Sequence, residues 1–523
     1  MRLSVNMGDR QSFRVLFLYP NLMLQTMFPM SVAVLSAVLK QHGCEVQTFD
    51  TTFYETEEKT SNEYRVERLQ MKPFDRERQR QGLRPLARLV PDLRSKIESF
   101  QPDLIAVSVL EDTFPLAIML LEEIRAFGLP HLVGGVYPTF APEIVLAERA
   151  VDIICVGEGE GPLLDLCDAM SSGEDYSKIA NLWVKRPDGT ILRNPVRATI
   201  NLDDLPIPDY SIFGDERFYF PMNGNLLRIG SVETHRGCPY KCTFCNSPGQ
   251  VILYDHASAG SFFRLKSVSK IFHELRNLID NYKVEYIRFP ADTFLAMPDS
   301  YLHAFAEMYQ DVKLPFWCQT RPETLTAERV DVLNRMGCKD LSVGIEHGNE
   351  EFRRRVVWRN YSNETLIQSF ERLQGASFGV RANNIVGLPT ETRQLTQDTI
   401  TINRRIAHIL GSANAFHFTP YRGTRLRQLC IDLGYIKEDT KVIHNTRDTV
   451  LNMPQYSRDD INGAIRTFNM YLKFPESEFP RIAVAERFDD CGNRMFSALR
   501  REFVARYFGA IAEDDVVDSN LLD

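Results

Sequence analysis

The chain lacks the features of a membrane or secreted protein. Within its 523 residues no uninterrupted apolar run approaches the roughly 20 residues needed to span a bilayer. The N-terminal sequence MRLSVNMGDRQSF has no apolar core of signal-peptide length and leads directly into a strand-like segment. We therefore expect no membrane span and a cytoplasmic location, where thiols stay reduced and cysteines are free to bind metal.

An excess of positive charge is also missing. The 61 basic side chains are outnumbered by 69 acidic ones, which gives a formal charge of −8. A mildly acidic protein repels phosphate backbones, so the overall charge does not favour nucleic acid as a partner. The 44% of apolar and 25% of charged residues are typical of a folded protein, and the length predicts two or three domains.

Cysteine is sparse and unevenly placed. Seven of the ten cysteines are scattered among apolar residues and are expected to be buried, inert thiols. The other three, Cys238, Cys242 and Cys245, lie within eight residues in the sequence ETHRGCPYKCTFCN. Such a grouping in a reduced compartment is typical of a metal or cluster site.

The first part of the chain predicts an α/β domain. Strand candidates at 15–19, 46–49, 104–109, 131–133 and 153–156 alternate with helical patterns, which favours a doubly wound, flavodoxin-like parallel sheet over residues 13–180. A charged stretch at 55–90 is interpreted as a solvated helical excursion rather than a lid. Residues 181–222, with two closely spaced prolines near 206–208, are predicted to be a linker.

A second alternating series predicts a partial barrel. Its strand candidates are 227–234, 284–289, 314–319, 340–345, 379–386 and 414–418. Six units are too few for a complete eightfold barrel, but they can form a partial (β/α)6 TIM-like barrel over residues 223–425, with its active site at the C-terminal strand ends. Residues 426–523 are expected to be mostly helical.

The three-cysteine loop follows the first strand of this second series. Thiolates suit iron–sulfur iron or zinc. Three of them at these gaps can bind three irons of a [4Fe–4S] cubane and leave the fourth iron without a protein ligand. The alternative is a zinc site, which usually has four ligands and would need another residue such as His235.

This loop, CxxxCxxC, resembles the hallmark of the radical S-adenosylmethionine (SAM) superfamily, and the resemblance extends over most of residues 227–426. It implies that Cys238, Cys242 and Cys245 hold a [4Fe–4S] cluster whose open iron chelates SAM. In that family an electron from the cluster splits SAM to a 5′-deoxyadenosyl radical, which abstracts hydrogen from the substrate. The resemblance implies further cofactor contacts at successive strand ends: Phe244, Asp292, Arg321, Glu346, Asn384 and Gly387.

The first domain carries two glycine-rich segments, VGGVYPT at 133–139 and VGEGE at 156–160. Glycines at such positions are ordinary turn residues, or they let backbone amides approach a large ligand. With the surrounding sequence they resemble the cobalamin-binding domain joined to many radical SAM enzymes, which implies binding roles for Gly134, Gly135, Thr139, Glu158 and Gly159. The DxHxxG motif is absent, and neither His42 nor His131 lies in such a pattern, so we expect cobalt to lack a histidine ligand.

The combined motifs favour a cobalamin-dependent methyltransferase that acts on an unactivated carbon of a small-molecule or peptide substrate. We expect its electrons to come from an external low-potential donor. One alternative is a non-methylating oxidoreductase or cyclase, since the chain also resembles the anaerobic magnesium-protoporphyrin ester cyclases. Another is a non-catalytic cobalamin-binding sensor or accessory protein. The intact cysteine loop argues against the sensor, because a pure binder needs no open iron.

Overall fold

In a computed structural model, which describes residues 12–509, the first sheet has the strand order β2-β1-β3-β4-β5-β6-β7. Strands β1 to β5 are parallel, and their order 2-1-3-4-5 is that of a flavodoxin-like sheet, as predicted. The strands are β1 Arg14–Tyr19, β2 Glu45–Asp50, β3 Leu104–Ser108, β4 His131–Gly134, β5 Ile153–Cys155, β6 Leu182–Lys185 and β7 Ile191–Arg193.

Helices cover both faces of this sheet because its strands are apolar on both sides. The helices of the first domain are α1 Met30–Gln41, α2 Ser61–Glu67, α3 Arg76–Arg80, α4 Leu89–Phe100, α5 Phe114–Glu123, α6 Val136–Phe140, α7 Pro142–Ala147 and α8 Glu160–Ser172; of these, α2 and α3 belong to the stretch 55–90 and not to the sheet faces.

Residues 181–222 differ from a simple linker. They contribute the antiparallel strands β6 and β7 to the first sheet and β8, Tyr219–Met222, to the second. A turn at Asp188-Gly189 joins the β6–β7 hairpin. The extended proline-containing part, 195–209, is the remaining connection between the sheets.

The second sheet has the order β16-β15-β14-β13-β12-β9-β8. Six of its strands are parallel, as predicted for a partial barrel, and β8 pairs antiparallel with β9 at one edge. The strands are β9 Asn225–Ser231, β12 Tyr286–Arg288, β13 Phe316–Thr320, β14 Cys338–Glu346, β15 Gly379–Val386 and β16 Ser412–His417, and a separate hairpin pairs β10 His235–Arg236 with β11 Arg264–Leu265.

The outer layer of this half-barrel and the C-terminal region are helical. The barrel helices are α9 Ser247–His256, α10 Val268–Tyr282, α11 Asp299–Tyr309, α12 Ala327–Met336, α13 Glu350–Phe352, α14 Asn363–Glu371 and α15 Arg393–Arg405. The C-terminal helices are α16 Arg425–Asp432, α17 Arg458–Lys473, α18 Phe479–Ala485 and α19 Asp490–Phe503. Residues 510–523 of the predicted helical region lie outside the described residues.

Side chains alternate between the two faces of each barrel strand. Along β15, Val380, Ala382 and Val386 are buried outward against helices, whereas Arg381 and Asn383 point inward and are half-buried. The inside of the half-barrel is therefore lined by polar side chains that retain access to solvent.

The stretch 55–90 is solvated only in part, since most of residues 75–88 are exposed but residues 60–70 are largely buried. Helix α2 begins with a capping box at Thr60 and buries Asn62, Glu63 and Val66. Beyond its end, Gln70 donates a hydrogen bond of 2.8 Å to the carbonyl of Ala415 in β16. This part of the first domain thus packs against the last strand of the half-barrel, and the charged composition misled the prediction because the arginines there pair with buried partners such as Glu63.

The C-terminal strand edges of the two sheets face each other. Glu111, just beyond β3, accepts a hydrogen bond from the backbone N–H of Arg422, which lies beyond β16. Phe140 of α6 packs closely against Gly249 of α9 and Gly423. Parallel α/β sheets and barrels bind ligands at these edges, so the arrangement brings two binding faces together.

None of the helices in the described part of the chain combines the length and the apolar character needed to cross a bilayer.

Candidate cofactor sites

The three cysteines lie on the loop between β10 and α9. Cys238 and Cys242 are buried and Cys245 is half-buried. The Cys238 thiol lies 3.5 Å from the hydroxyl of Thr293, and the backbone N–H of Ser247 donates to the Cys245 sulfur at 3.4 Å. These contacts fix the thiols of one short loop against the C-terminal end of the half-barrel, where the sequence placed them.

Arg321 lies directly against this loop. Its guanidinium donates a hydrogen bond of 3.0 Å to the Cys242 sulfur and stacks 3.9 Å from the centre of the Tyr240 ring. The same side chain donates to Glu323 at 2.7 Å. The sequence predicted Arg321 at the end of the third barrel strand as a partner for the SAM carboxylate, and here it contacts the cysteine loop itself.

Asp292 is also brought to the loop. Burial raises the pKa of the Cys245 thiol to about 12, and the nearby carboxylate of Asp292 adds to this rise. The pKa of Cys238 is raised by the same two causes. Asp292 remains exposed toward the inside of the site, so its carboxylate is accessible to a ligand bound beside the cysteines.

Glu346 ends β14 in a left-handed conformation with φ of 66°, which is strained for a residue other than glycine. Its carboxylate pairs with Arg359 at 3.0 Å. Burial raises its pKa, although Arg359 and Arg321 oppose the rise. The Arg359 guanidinium also lies 5.7 Å from the ring of Phe244, so two predicted residues, Glu346 and Phe244, meet at one arginine.

Sequence reasoning missed Arg359, because it follows a π-helical turn at Arg353–Val357 and not a strand end. Insertions of this kind are frequent at functional sites. Trp358, which is exposed and has φ of 57°, was missed for the same reason. Nothing in the run RRVVWR distinguishes these residues from a charged helix surface.

Of the predicted cofactor contacts, one is turned away from the site and another has its backbone donor engaged. Asn384 points outward from β15 and forms two hydrogen bonds with Asn403 of α15, at 3.2 and 2.8 Å. Gly387 lies beyond the end of β15, but its backbone N–H donates to Glu391 and is therefore already used. The one-residue alternation of the strand sends Asn384 to the helix layer, whereas its neighbour Asn383 faces inward.

His235, the fourth ligand considered for a zinc site, is directed elsewhere. Its Nδ1 lies 3.0 Å from the hydroxyl of Thr234, and its ring packs edge-on against Phe263. Burial lowers the pKa of His235 to about 4. The donor set of this loop is therefore three thiols, which fits a cluster with one open iron better than a closed zinc site.

The two glycine-rich segments of the first domain lie in contact with each other beyond the ends of β4 and β5. Gly135 has φ of 112°, and a Cβ atom there would lie 2.5 Å from the carbonyl oxygen of Val109. The Thr139 hydroxyl donates to the Gly135 carbonyl and accepts from the backbone N–H of Gly157, at 2.8 and 3.0 Å. Thr139 thus holds the two segments together and does not itself line the cavity described below.

Glu158 links the two domains. Its carboxylate accepts a hydrogen bond of 2.6 Å from Arg236 and is also paired with Arg264. Burial alone would raise the pKa of Glu158, but the two guanidinium groups outweigh it and hold that pKa below its usual range. The predicted ligand contact at Glu158 is therefore primarily an ion pair between domains.

A cavity of about 190 Å³ opens at the C-terminal ends of β1, β3, β4 and β5. Predominantly apolar side chains of these strands, α1 and α8 line it, together with Gly134, Gly135, Glu158 and Gly159. Its far wall includes Glu233 and Arg236, which immediately precede the cysteine loop. The cavity therefore lies between the glycine segments and the cysteine site.

The histidines of the first domain do not reach this edge. His131 begins β4, at the opposite end of the sheet, and its Nδ1 lies 3.0 Å from the carbonyl oxygen of Ala150. His42 lies beyond α1, 3.6 Å from Asp168. Instead, the apolar side chains of Leu110 and Val136 are exposed beyond β3 and β4.

Family profiles agree with the two sites. The profile of the radical SAM superfamily matches residues 232–401, and the profile of the B12-binding domain matches residues 79–166. The chain carries a radical SAM domain and a B12-binding domain. This assignment accounts for the cysteine loop, the half-barrel and the glycine segments together, and it makes the chain an enzyme of the radical SAM class.

Two relatives and one solved structure illustrate the likeness. The chain is 26% identical over 421 residues to an uncharacterized methyltransferase of Pyrococcus horikoshii, covering 78% of this chain and 86% of that protein. It is 22% identical over 325 residues to the anaerobic magnesium-protoporphyrin IX monomethyl ester cyclase of Rubrivivax gelatinosus, covering 60% of this chain and 56% of the cyclase. The structure of the radical SAM methyltransferase TsrM of Kitasatospora setae, with cobalamin and a [4Fe–4S] cluster bound, aligns with a TM-score of 0.62 at 15% identity, covering 94% of this chain and 99% of that one.

The residues of the radical SAM protein fit the cofactors of its family, a [4Fe–4S] cluster with SAM and cobalamin. The three-thiol donor set of one loop suits a cluster, and the guanidinium of Arg321 offsets thiolate charge. The cavity, with its glycine lining, and the exposed apolar pair Leu110 and Val136 suit a partly apolar ligand at this edge.

Proposed function

We propose that this protein is a cobalamin-dependent radical SAM methyltransferase that methylates an unactivated carbon of a small molecule. The observation that carries the proposal is the opposition of the two binding edges across one interface, with the cavity wall at Arg236 adjoining the cysteine loop at Cys238. The methyl carrier and the site of radical formation must lie close together, because the same substrate carbon has to lose hydrogen at one and receive the methyl group from the other.

The cysteine loop is proposed to hold the cluster through Cys238, Cys242 and Cys245, and the cluster supplies the electron for SAM cleavage while cobalamin supplies the methyl group. Asp292 is placed to accept from the amine of SAM, because its carboxylate is exposed beside the thiols. Arg321 positions the loop and presents positive charge for the SAM carboxylate. Glu346, fixed by Arg359, is placed to accept from a ribose hydroxyl or the amine.

The B12-binding domain is proposed to receive cobalamin at Gly134, Gly135 and Gly159, where the absence of side chains permits close approach. Leu110 and Val136, whose apolar side chains are exposed at the same edge, would contact the cobalamin and exclude water from it. Without a histidine at this edge, the cobalt has no imidazole ligand from the described residues 12–509.

The cyclase alternative is less well supported. The methyltransferase of Pyrococcus horikoshii is covered over 86% of its length, against 56% for the cyclase of Rubrivivax gelatinosus. The likeness to the methyltransferase thus covers more of both proteins than the likeness to the cyclase does. Product mass separates the two reactions, since methyl transfer adds one CH₂ unit and cyclisation does not.

The test is an anaerobic incubation of reconstituted protein with a low-potential reductant, methyl-labelled SAM and an extract of small metabolites. Formation of 5′-deoxyadenosine and S-adenosylhomocysteine, with label in a new product, is expected. Conversion of a substrate with 5′-deoxyadenosine but without label would reject methyl transfer, and failure of the iron-loaded protein to cleave SAM would favour a binding role.

The same proposal includes a cytoplasmic location and an external low-potential electron donor. All ten cysteines, which lie within the described residues, are free thiols, as a reducing compartment requires. Cell fractionation and activity with reduced flavodoxin or ferredoxin are the corresponding tests.

A further inference from the structure

Three arginines meet inside the half-barrel with too few carboxylates to neutralise them. They are Arg65 of α2, Arg288 of β12 and Arg381 of β15, here called the arginine group. Arg381 pairs with Asp340 at 3.4 Å, and Asp340 is also engaged by the hydroxyl of Tyr286. Within residues 12–509, neither Arg65 nor Arg288 forms an ion pair with a carboxylate.

Arg288 is held in place without a hydrogen bond. Its guanidinium lies 4.8 Å from the ring centre of Phe220 and 4.7 Å from that of Trp317, so aromatic rings fix its position. Its Nε is buried and has no partner among the described residues. Trp317 is itself fixed by a hydrogen bond of 3.0 Å that its indole N–H donates to Ser342. The guanidinium of Arg288 is therefore held in place by rings, and its N–H groups form no hydrogen bond with the described residues.

Arg65 is similarly short of partners. Its one hydrogen bond is a long contact of 3.4 Å to the side chain of Asn414, and its Nε is buried without a partner in the described part of the chain. Burial, together with the charges of Arg381 and Arg288, lowers the pKa of Arg65 to about 9. Three cations in this space therefore repel one another.

Several other arginines with little exposure are neutralised by a carboxylate. Arg217 pairs with Asp50, Arg236 with Glu158 and Arg359 with Glu346. Arg353, which has no such partner among the described residues, donates instead to the carbonyls of His347 and Tyr361. Burying an uncompensated cation is costly, and an unused guanidinium fork matches the two oxygens of a carboxylate or phosphate. Arg65 and Arg288 have no carboxylate partner within residues 12–509 and at most one long hydrogen bond, so together they have the properties of an anion-binding subsite.

The subsite is aligned with the cysteine loop. Along β13 the inward-facing positions are Trp317, Gln319 and Arg321, and the backbone remains extended through Arg321. Trp317 touches Arg288, whereas Arg321 touches Cys242. Four residues of strand separate these contacts, about 13 Å at the rise of a β-strand, which is the length of a small organic molecule.

We propose that Arg65 and Arg288 bind an anionic group, a carboxylate or a phosphate, of the substrate whose other end lies at the cysteine loop. The inference rests on the proposed function, since it names the class of substrate for that same site. It also assigns a role to the stretch 55–90, which delivers Arg65 from the first domain into the half-barrel.

The first experiment measures anion binding by the cluster-loaded full chain without turnover. Inorganic pyrophosphate and succinate, at matched ionic strength against chloride, are titrated while the melting temperature is recorded. Wild-type protein should be stabilised, and in Arg65→Met and Arg288→Met the half-effective anion concentration should rise at least tenfold. Arg288→Lys, which keeps the charge, should recover part of the response. The matched control, Arg276→Met, removes an exposed arginine that pairs with Asp280 and should respond like wild type.

A structural role for Arg65 predicts a different signature. If Arg65 mainly supports the fold, Arg65→Met should lower the melting temperature of the anion-free protein. If it is an uncompensated cation, the substitution should leave that temperature unchanged or raise it, because it relieves repulsion. No stabilisation of the wild type by either anion, or an unchanged half-effective concentration in both variants, would overturn the proposal.

The second experiment identifies the acceptor by charge. The metabolite extract is divided on an anion-exchange resin at pH 7 before incubation with methyl-labelled SAM. Label in the retained fraction supports the inference. If phosphatase treatment abolishes retention of the labelled product on the resin, the anionic group is a phosphate; if the product is still retained, the group is a carboxylate. Label only in the unretained fraction would refute the anionic subsite while the methyltransferase function stands. SAM cleavage with no label in any fraction would instead refute the methyltransferase function, and the binding titration would still decide the subsite.

Discussion

The Arg321 guanidinium donates a hydrogen bond to the Cys242 sulfur across 3.0 Å. A cation at this distance stabilises negative charge on the sulfur, and hydrogen bonds to cluster sulfurs are among the factors that set reduction potential. The end of the third barrel strand is thereby connected to the electronic properties of the cysteine site.

Replacing Arg321 should therefore affect both potential and rate. Arg321→Met is expected to shift the cluster potential to a more negative value, because it removes positive charge that favours the reduced state. It should slow SAM cleavage by about tenfold, corresponding to roughly 1.4 kcal/mol. An EPR-monitored redox titration and a 5′-deoxyadenosine assay measure the two effects. Arg321→Lys should show a smaller shift, and an unchanged potential in both variants would contradict this role.

Gly135→Ala should remove cobalamin binding and leave the cysteine site intact. The added Cβ would lie 2.5 Å from the Val109 carbonyl oxygen, so the backbone beyond β4 would have to move. The matched control is Gly128→Ala, which also has a positive φ, 65°, but has open space around the added atom. Cobalt and iron analysis should show cobalt lost only in Gly135→Ala; equal cobalt in both variants would disprove the close approach at Gly135.

Glu158→Gln should weaken the contact between the two domains. Because Arg236 and Arg264 hold the folded-state pKa of Glu158 below its unfolded value, the ionised group stabilises the folded protein above the unfolded pKa. That stabilisation is lost as pH falls through the folded pKa. At pH 7 the variant should lose about 2 kcal/mol of unfolding free energy, and the difference from wild type should shrink as the pH is lowered below 4. Urea unfolding at both pH values measures this, and a pH-independent difference would argue against the ion pair.

Asn384→Ala should destabilise the fold without changing the affinity for SAM. Its side chain exchanges hydrogen bonds with Asn403 in the helix layer, and leaving one buried partner unsatisfied costs about 1 to 3 kcal/mol. Thermal unfolding and equilibrium SAM binding separate the two properties. A weakened affinity for SAM at full stability would restore Asn384 to the cofactor site.

Much of the fold could be predicted from the sequence because apolar strands alternate with helical patterns. The order of the first sheet and the six barrel strands follow from that alternation. The β6–β7 hairpin was harder to predict, because its short strands are only partly buried and surround a turn at Asp188-Gly189 that resembles a linker.

The site was predictable in part. Cysteine spacing predicts the cluster loop, and position at a strand end predicted that Arg321, Asp292 and Glu346 lie at the same edge of the half-barrel. The face of a strand residue depends on register to within one position, so the resemblance alone did not show that Asn384 points to the helix layer. Arg359 and Arg65 come from a π-helical turn and from another domain, and only tertiary contacts reveal such residues.

The central claim is that Cys238, Cys242 and Cys245 hold a cluster that cleaves SAM. The most direct measurement is 5′-deoxyadenosine formation, with iron content, in the anaerobically reconstituted triple variant in which all three are replaced by serine. The account predicts loss of both iron and product, whereas Cys491→Ser, at an exposed cysteine outside the site, keeps both. Undiminished 5′-deoxyadenosine from the triple variant would contradict it.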